Sequence, residues 1–387
     1  MRITIVGGPF LPFPSAGCGA VERIWDDLAQ CFAERGHVVT VLCRADEQQS
    51  SNDIGFGVKY IRRTHWNRGR FIYLDLLKDA LYAARMLMLL PKADILVTNT
   101  FWLPVLAHLR PSSGKVVVHV ARGPRGQMGL YKGVARVHAV SSYIRDKIVE
   151  QCPGLASKTK VIPNPIDPAI FSPVAGSERD RGSIVTILYA GRIHPEKGLH
   201  LLVESFADVC RQAADVRLRI IGPWRVDQGG GGKPYLDGLK RTARGLPVEF
   251  VEPVYDMNIL AGELRAADFF CYPSLAEQGE AFGLAPLEAM GVGLVPIVSD
   301  LKVFRDFIEP GKTGYVFDHR SPDAPKNLAD VMLDAIRNTE KKEQMGAMAA
   351  NQARNFGYKN IAAMYLDDFQ EICAKDTTGE TNLNHER

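Results

Sequence analysis

The sequence predicts an α/β protein built from two doubly wound halves, and three observations carry that prediction. Short β-branched runs alternate with longer stretches of helical period, as in a parallel sheet covered by helices. The alternation stops at a proline-dense stretch, Pro163-Asn164-Pro165-Ile166-Asp167-Pro168, and then starts afresh. A chain of 387 residues also exceeds what one hydrophobic core usually organises.

In the first half the strand candidates are Ile3–Val6, Val38–Leu42, Val58–Ile61, Ile95–Thr98, Val116–His119 and Val137–Val140. Between the first two, Val21, Ile24, Leu28 and Phe32 recur at helical spacing and Gly36 supplies a stop, which makes one βαβ unit. Three prolines in six residues continue neither a helix nor a central strand, so a hinge is expected near Pro163–Pro173, dividing residues 1–165 from 166–358. The second half offers Ile187–Ala190, Val216–Ile221, Val248–Val251, Phe269–Tyr272 and Leu294–Val298. A last helix is expected over 359–375, its apolar face formed by Ile361, Met364, Tyr365, Phe369 and Ile372 and packed back on the first half. The polar remainder, 376–387, is expected to be disordered.

Composition narrows the function. An apolar fraction of 46% excludes a disordered chain, and a net charge of +3 is too balanced for a protein that coats nucleic acid, so any basic function is local. The seven cysteines lack metal-ligand spacing and read as reduced, mostly buried thiols. Met1-Arg2-Ile3-Thr4-Ile5-Val6 reads as a strand, with no basic leader or long apolar run, so no signal peptide is expected. The apolar stretch Ala83–Leu90 is interrupted by Arg85 and closed by Pro91, short of the roughly 20 residues a membrane span needs. A cytoplasmic protein is expected, with peripheral contact at the inner face of the membrane left open.

Doubly wound domains bind ligands at the carboxyl ends of their strands, so chemistry is sought in loops that follow strands. Gly191-Arg192-Ile193-His194-Pro195-Glu196-Lys197-Gly198 follows the strand Ile187–Ala190 and precedes a helix. A glycine for close approach, a forked guanidinium, an ammonium and the positive end of a helix together suit a diphosphate, against the alternative of a charged surface turn. A second segment follows Phe269–Tyr272: Glu280-Ala281-Phe282-Gly283-Leu284-Ala285-Pro286-Leu287-Glu288. Pro286 suits a helix first turn, and Glu288 is placed in that turn. One carboxylate then reaches a sugar while the other accepts ribose hydroxyls, and the Gly283 and Leu284 amides face a phosphate.

Both segments, in this order and spacing, resemble the glycosyltransferase family 4 enzymes of the GT-B fold, over nearly the whole chain. The resemblance implies two Rossmann-like β/α/β domains facing each other across a cleft, and a retaining glycosyltransferase that moves a hexose-type sugar from a nucleotide diphosphate donor to a hydroxyl. Carried over residue by residue, it makes Glu280, His119, Arg192 and Lys197 catalytic. Donor binding falls to Arg192, Lys197, Glu280, Phe282, Gly283, Leu284 and Glu288, with Gly17 and Gly19 from the N-terminal glycine loop. His119 ends its strand where the family holds a histidine against the donor sugar; a capping or core histidine is the alternative. Three departures stand out: Ala20 replaces the second glycine of the loop, Pro165 replaces the glycine after Pro-Asn, and Glu252 stands where glycine is common near the nucleobase. A uridine carrier is favoured over a guanosine one. No Asp-x-Asp sequence occurs, so no metal or other cofactor is required, and the leaving diphosphate is neutralised by Arg192, Lys197 and helix-terminal amides. The competing functions are a nucleotide-sugar epimerase of the same fold and a non-catalytic nucleotide-sugar-binding protein.

Two basic patches remain. Arg122, Arg125 and Lys132 follow His119 and suit either an anionic acceptor or solvated loop charges. Arg62, Arg63, Arg68 and Arg70 precede the amphipathic stretch Tyr73–Leu90, whose Leu74, Leu77, Leu81 and Met88 are expected to pack on the sheet, with lipid headgroups as the alternative.

Overall fold

The computed structural model describes residues 1–13, 19–45, 52–69, 71–174 and 184–381. The chain divides into two units, Met1–Pro165 with Tyr358–Arg387, and Ile166–Gly357.

Unit 1 runs β1 (Arg2–Val6), α1 (Ala20–Glu34), β2 (Val38–Arg44), β3 (Asn52–Gly55), β4 (Val58–Arg63), α2 (Ile72–Leu89), β5 (Ile95–Thr98), α3 (Leu103–Leu106), β6 (Lys115–Val120), β7 (Arg136–Ala139), α4 (Ser142–Gln151) and β8 (Thr159–Val161). Its eight strands lie in the order β3-β4-β2-β1-β5-β6-β7-β8. The edge strand β3 is antiparallel to β4 and the other pairs are parallel. The order reverses between β1 and β5, which makes their carboxyl ends the switch point where ligands of such sheets bind. Between β6 and β7 there is only a short 3-10 turn, Gln127–Tyr131, as the brevity of the segment from His119 to Ser141 implies.

Unit 2 runs β9 (Val185–Ala190), α5 (Leu199–Gln212), β10 (Val216–Ile221), α6 (Lys233–Thr242), β11 (Val248–Val251), α7 (Met257–Ala266), β12 (Phe269–Tyr272), α8 (Leu284–Gly291), β13 (Val295–Ser299), β14 (Tyr315–Phe317), α9 (Ala324–Arg337) and α10 (Thr339–Arg354). Its all-parallel sheet has the order β11-β10-β9-β12-β13-β14, with the switch point between β9 and β12. At the start of this unit the Ile166 amide donates to the Phe356 carbonyl (2.9 Å), so its first and last residues lie side by side.

The chain then returns to unit 1 as α11 (Tyr358–Thr381), which packs on α1. Ile361, Tyr365, Phe369 and Ile372 are buried, whereas Met364 is exposed. Helical backbone continues to Thr381, past Asp376 where the disordered tail was expected to begin. Residues 382–387 lie outside the described residues.

The amphipathic stretch departs from its expected role. Tyr82, Ala83 and Met86 enter the core with Leu42, Leu96 and Leu103, but Leu74, Leu77, Leu81 and Met88, expected on the sheet, are exposed. The sequence marks two apolar faces on α2, and only one has a partner in the unit. Among the described residues no helix is long and apolar enough to cross a membrane. Cys31, Cys43, Cys152, Cys210, Cys271 and Cys373 are free thiols, and Cys18 lies outside the described residues.

Candidate functional site

The two unit 2 segments singled out from the sequence follow β9 and β12, the two strands at the switch point. Their backbones are laced together. The Leu275 amide donates to the Glu196 carbonyl at 2.8 Å, and Gly198, at φ +70°, would place a Cβ 2.0 Å from the Pro273 carbonyl oxygen. Only glycine permits that approach.

This contact sets Lys197 beside Glu280. The ammonium donates to Glu280 Oε2 at 2.7 Å, with both residues buried, and Ser274 Oγ donates to the same oxygen at 3.1 Å. The Tyr272 ring lies under the ammonium, 5.4 Å from its centroid. One Lys197 N–H is thus used by Glu280 and one Glu280 oxygen is doubly bonded, and each group retains hydrogen-bonding capacity for a ligand. Arg192 is more open. Its guanidinium donates to Glu196 Oε1 at 2.7 Å and to the Gly229 carbonyl at 2.8 Å, a two-point hold that fixes the plane of the fork.

Gly283 caps the start of α8 at φ +89°, with the Phe304 ring 2.6 Å from where a Cβ would stand. Leu284 opens the helix and is partly exposed. Phe282, expected at the donor, has its side chain buried against Phe307 and Phe356, packed in the core rather than open to a ligand. Glu288, placed in the first turn from the sequence, is the fifth residue of α8 and lies in its second turn, because the helix begins at Leu284.

In unit 1, His119 takes the alternative assignment. Successive strand residues point to opposite faces. Val116 therefore packs on the cluster around α2 and α3, and His119 turns the other way, towards α1 and α11. There its ring meets Trp25 edge-on at 5.2 Å, with the Tyr365 hydroxyl 3.4 Å from Nδ1. Burial, with a smaller contribution from His138, pushes the imidazole down to about 3, so it sits neutral in this packing.

Gly19 is the N-cap of α1, and Gly17 lies outside the described residues. Arg122, Arg125 and Lys132 are all exposed. Arg122 is close enough to hold down the Glu22 carboxyl, which burial raises overall. The sequence reading missed a small pocket at the unit 1 switch point, lined by Gly7, Gly8, Phe13, Glu22, Thr98 and Asn99. Asn99 Oδ1 is buried there without a hydrogen bond among the described residues. A polar residue directly after β5 was the available signal. Ser274 and Glu196 were also missed as partners of the charged groups, because a loop-to-loop contact has no signature in one segment alone. Among the described residues no cluster of three or more His, Cys, Asp or Glu side chains is arranged to hold a metal ion.

Two family descriptions match the chain. Glycosyl transferases group 1 covers residues 179–352, and Glycosyltransferase Family 4 covers residues 21–170. Spore coat protein SA of Bacillus subtilis (strain 168) is 24% identical across 96% of this chain and 100% of its own. Phosphatidyl-myo-inositol mannosyltransferase of Mycobacterium tuberculosis (strain CDC 1551 / Oshkosh) is 28% identical across 73% of this chain and 71% of its own. Among solved structures, sucrose-phosphate synthase from Thermosynechococcus elongatus superposes with a TM-score of 0.77 at 19% identity, covering 97% of this chain and 100% of that one. Anabaena HepE in complex with UDP and glucose gives 0.72 at 18%, covering 96% and 100%. The motifs after β9 and β12, the two parallel-sheet units and these matches agree: the chain belongs to glycosyltransferase family 4 and is a glycosyltransferase of the GT-B fold.

Proposed function

We propose that this enzyme transfers a hexose from a nucleotide diphosphate sugar, with retention at the anomeric carbon, to a hydroxyl of an anionic acceptor. The observation that carries the reading is the meeting of Lys197 with Glu280 at the unit 2 switch point, with Arg192, held by Glu196, in the same loop as Lys197 and α8 starting four residues after Glu280. Lys197, Arg192 and the first amides of α8 receive the diphosphate and stabilise its charge as it leaves. Glu280 orients sugar hydroxyls, and Glu288, one turn deeper, accepts the ribose hydroxyls. The bond from the anomeric carbon to the phosphate oxygen breaks as the acceptor oxygen attacks the same face, and that phosphate oxygen takes the acceptor's proton. A uridine carrier is favoured, in keeping with HepE, whose structure holds UDP and glucose. Exposed Arg122, Arg125 and Lys132 suit an acceptor bearing phosphate or carboxylate, and the mannosyltransferase relative is named for phosphatidyl-myo-inositol, a phosphate-bearing polyol.

Calorimetric titration with UDP in the presence of EDTA tests this. UDP should bind the parent without added metal, and Glu288→Ala should weaken it by about 1.5–3 kcal/mol, as for a lost charged hydrogen bond. Glu280→Ala should leave UDP affinity nearly intact while lowering kcat. Absence of binding by any nucleoside diphosphate, or the reverse pattern in the two variants, overturns the assignment.

A further inference from the structure

Helix α2 distributes its side chains against the usual order of a surface helix. Both of its carboxylates are turned towards the protein: Asp79 accepts from the Phe101 and Trp102 amides at 3.2 and 3.0 Å, and Asp75 accepts from the Gly69 amide at 2.7 Å. The outward side is apolar instead. Tyr73 is 83% exposed, Leu77 58%, Leu81 51% and Met88 72%, with Leu74 alongside and Trp66 and Phe71 exposed just before the helix. At 1.5 Å per residue, Tyr73 to Met88 makes a stripe about 22 Å long. An apolar stripe of that extent on a water-soluble surface marks a contact with something else.

Its border is cationic. Arg68, Lys78 and Arg85 flank the stripe, Arg85 steadied by the Thr64 carbonyl at 3.1 Å and Lys78 by that of Asn67 at 2.8 Å. The carboxylate among them, Asp75, has a side chain only 12% exposed and lies within 3.7 Å of both Arg68 and Lys78. A second copy docked about a twofold axis would set this cationic border against itself. An anionic bilayer meets it with opposite charge, admits the leucines and Met88 below the headgroups, and suits Trp66 and Tyr73, whose rings are apolar with one polar tip.

We propose that the outward face of α2, with Trp66 and Phe71 ahead of it, is a membrane-docking surface that lies in the headgroup plane of an anionic bilayer. The stripe starts just beyond the carboxyl end of β4, the same end of the unit 1 sheet as Asn99 after the parallel strand β5. Docking therefore brings the ligand end of this sheet close to lipid headgroups.

The test is flotation of the purified full-length protein with vesicles of phosphatidylcholine alone or mixed equally with phosphatidylglycerol. The parent should float with the mixed vesicles and not with phosphatidylcholine alone, and added salt should release it. Leu77→Gln with Leu81→Gln, and separately Arg68→Gln with Lys78→Gln and Arg85→Gln, should each lower the partition coefficient by about tenfold or more. Tyr73→Ser with Met88→Ser, at the most exposed positions, repeats the test should the leucine variant fold poorly. Failure of the parent to float, parental binding by the folded variants, or a parent dimer that Leu77→Gln with Leu81→Gln makes monomeric overturns the proposal. No substrate is present in this assay, so its outcome is separate from that of the proposed transfer reaction.

Discussion

Lys197 and Glu280 illustrate what a buried pair of opposite charges commits a site to. The ammonium and carboxylate lie 2.7 Å apart with both side chains largely withdrawn from water. Removing one partner strands the other charge, at a cost of about 3–5 kcal/mol, whereas removing both charges together leaves nothing unpaired. Lys197→Met should therefore lower both kcat/KM and the urea midpoint. Lys197→Met combined with Glu280→Gln should regain most of the midpoint without regaining turnover. Equal midpoints for the single and double variants would show that the pair is not what holds these two loops. The sequence presented Lys197 and Glu280 as members of two separate motifs, 83 positions apart. It carried no sign of their contact, because that contact depends on where Gly198 and Pro273 bring two loops together in space.

At the scale of elements, the strands with strong β-branched runs were legible and the weak ones were not. The edge strands β3 (Asn52-Asp53-Ile54-Gly55), β8 (Thr159-Lys160-Val161) and β14 (Tyr315-Val316-Phe317) were missed: two are only three residues long, and β3 is polar with three of its four residues exposed. The exposed edge β3 lacks the burial that writes a hydrophobic pattern into sequence, and β8 and the apolar, largely buried β14 are too short to show one. Helix α11 was legible as a helix, but its anchorage was not. Asp368 accepts from His138 Nε2 on β7 at 2.6 Å, with Lys160 and Arg136 each 3.1 Å away, and in the same buried layer Phe369 stacks on His138 while the Tyr365 hydroxyl lies against His119.

That layer makes a testable demand on pH. Folded His119 stays neutral down to about 3, while the unfolded imidazole takes a proton near 6.5. Between those values the unfolded state binds the extra proton, so stability is complete above 6.5 and declines as pH falls towards 3. His119→Phe, which keeps a ring between Trp25 and Tyr365, should flatten this decline. The check is urea unfolding of parent and variant at about pH 7 and about pH 4.5, where the gap in stability between them should narrow or reverse on acidification. An unchanged gap would remove His119 from the account, leaving His138, which burial also shifts down, as the titrating group.

For the whole molecule, the proposed division of labour assigns donor groups to unit 2 and the basic acceptor loop to unit 1. Such a division has a kinetic signature. Arg122→Gln with Arg125→Gln should raise acceptor KM several-fold at low ionic strength and leave donor KM unchanged, because the exposed guanidinium groups act by charge on the acceptor alone. Acceptor KM equal to that of the parent would return the loop to solvated surface charge.

The sequence by itself determined the two α/β units, the strand runs at their centres and the family, since burial between helices forces β-branched runs and the two charged motifs stand in a fixed order after their strands. The tertiary structure alone decided three things. It turned His119 into the core, because the alternation of side chains along β6 is read only once the covering helices are known. It paired Lys197 with Glu280, because two loops meet across a switch point. It left one face of α2 uncovered, because a helix with apolar residues on both sides looks the same in sequence whether the second side meets protein or not.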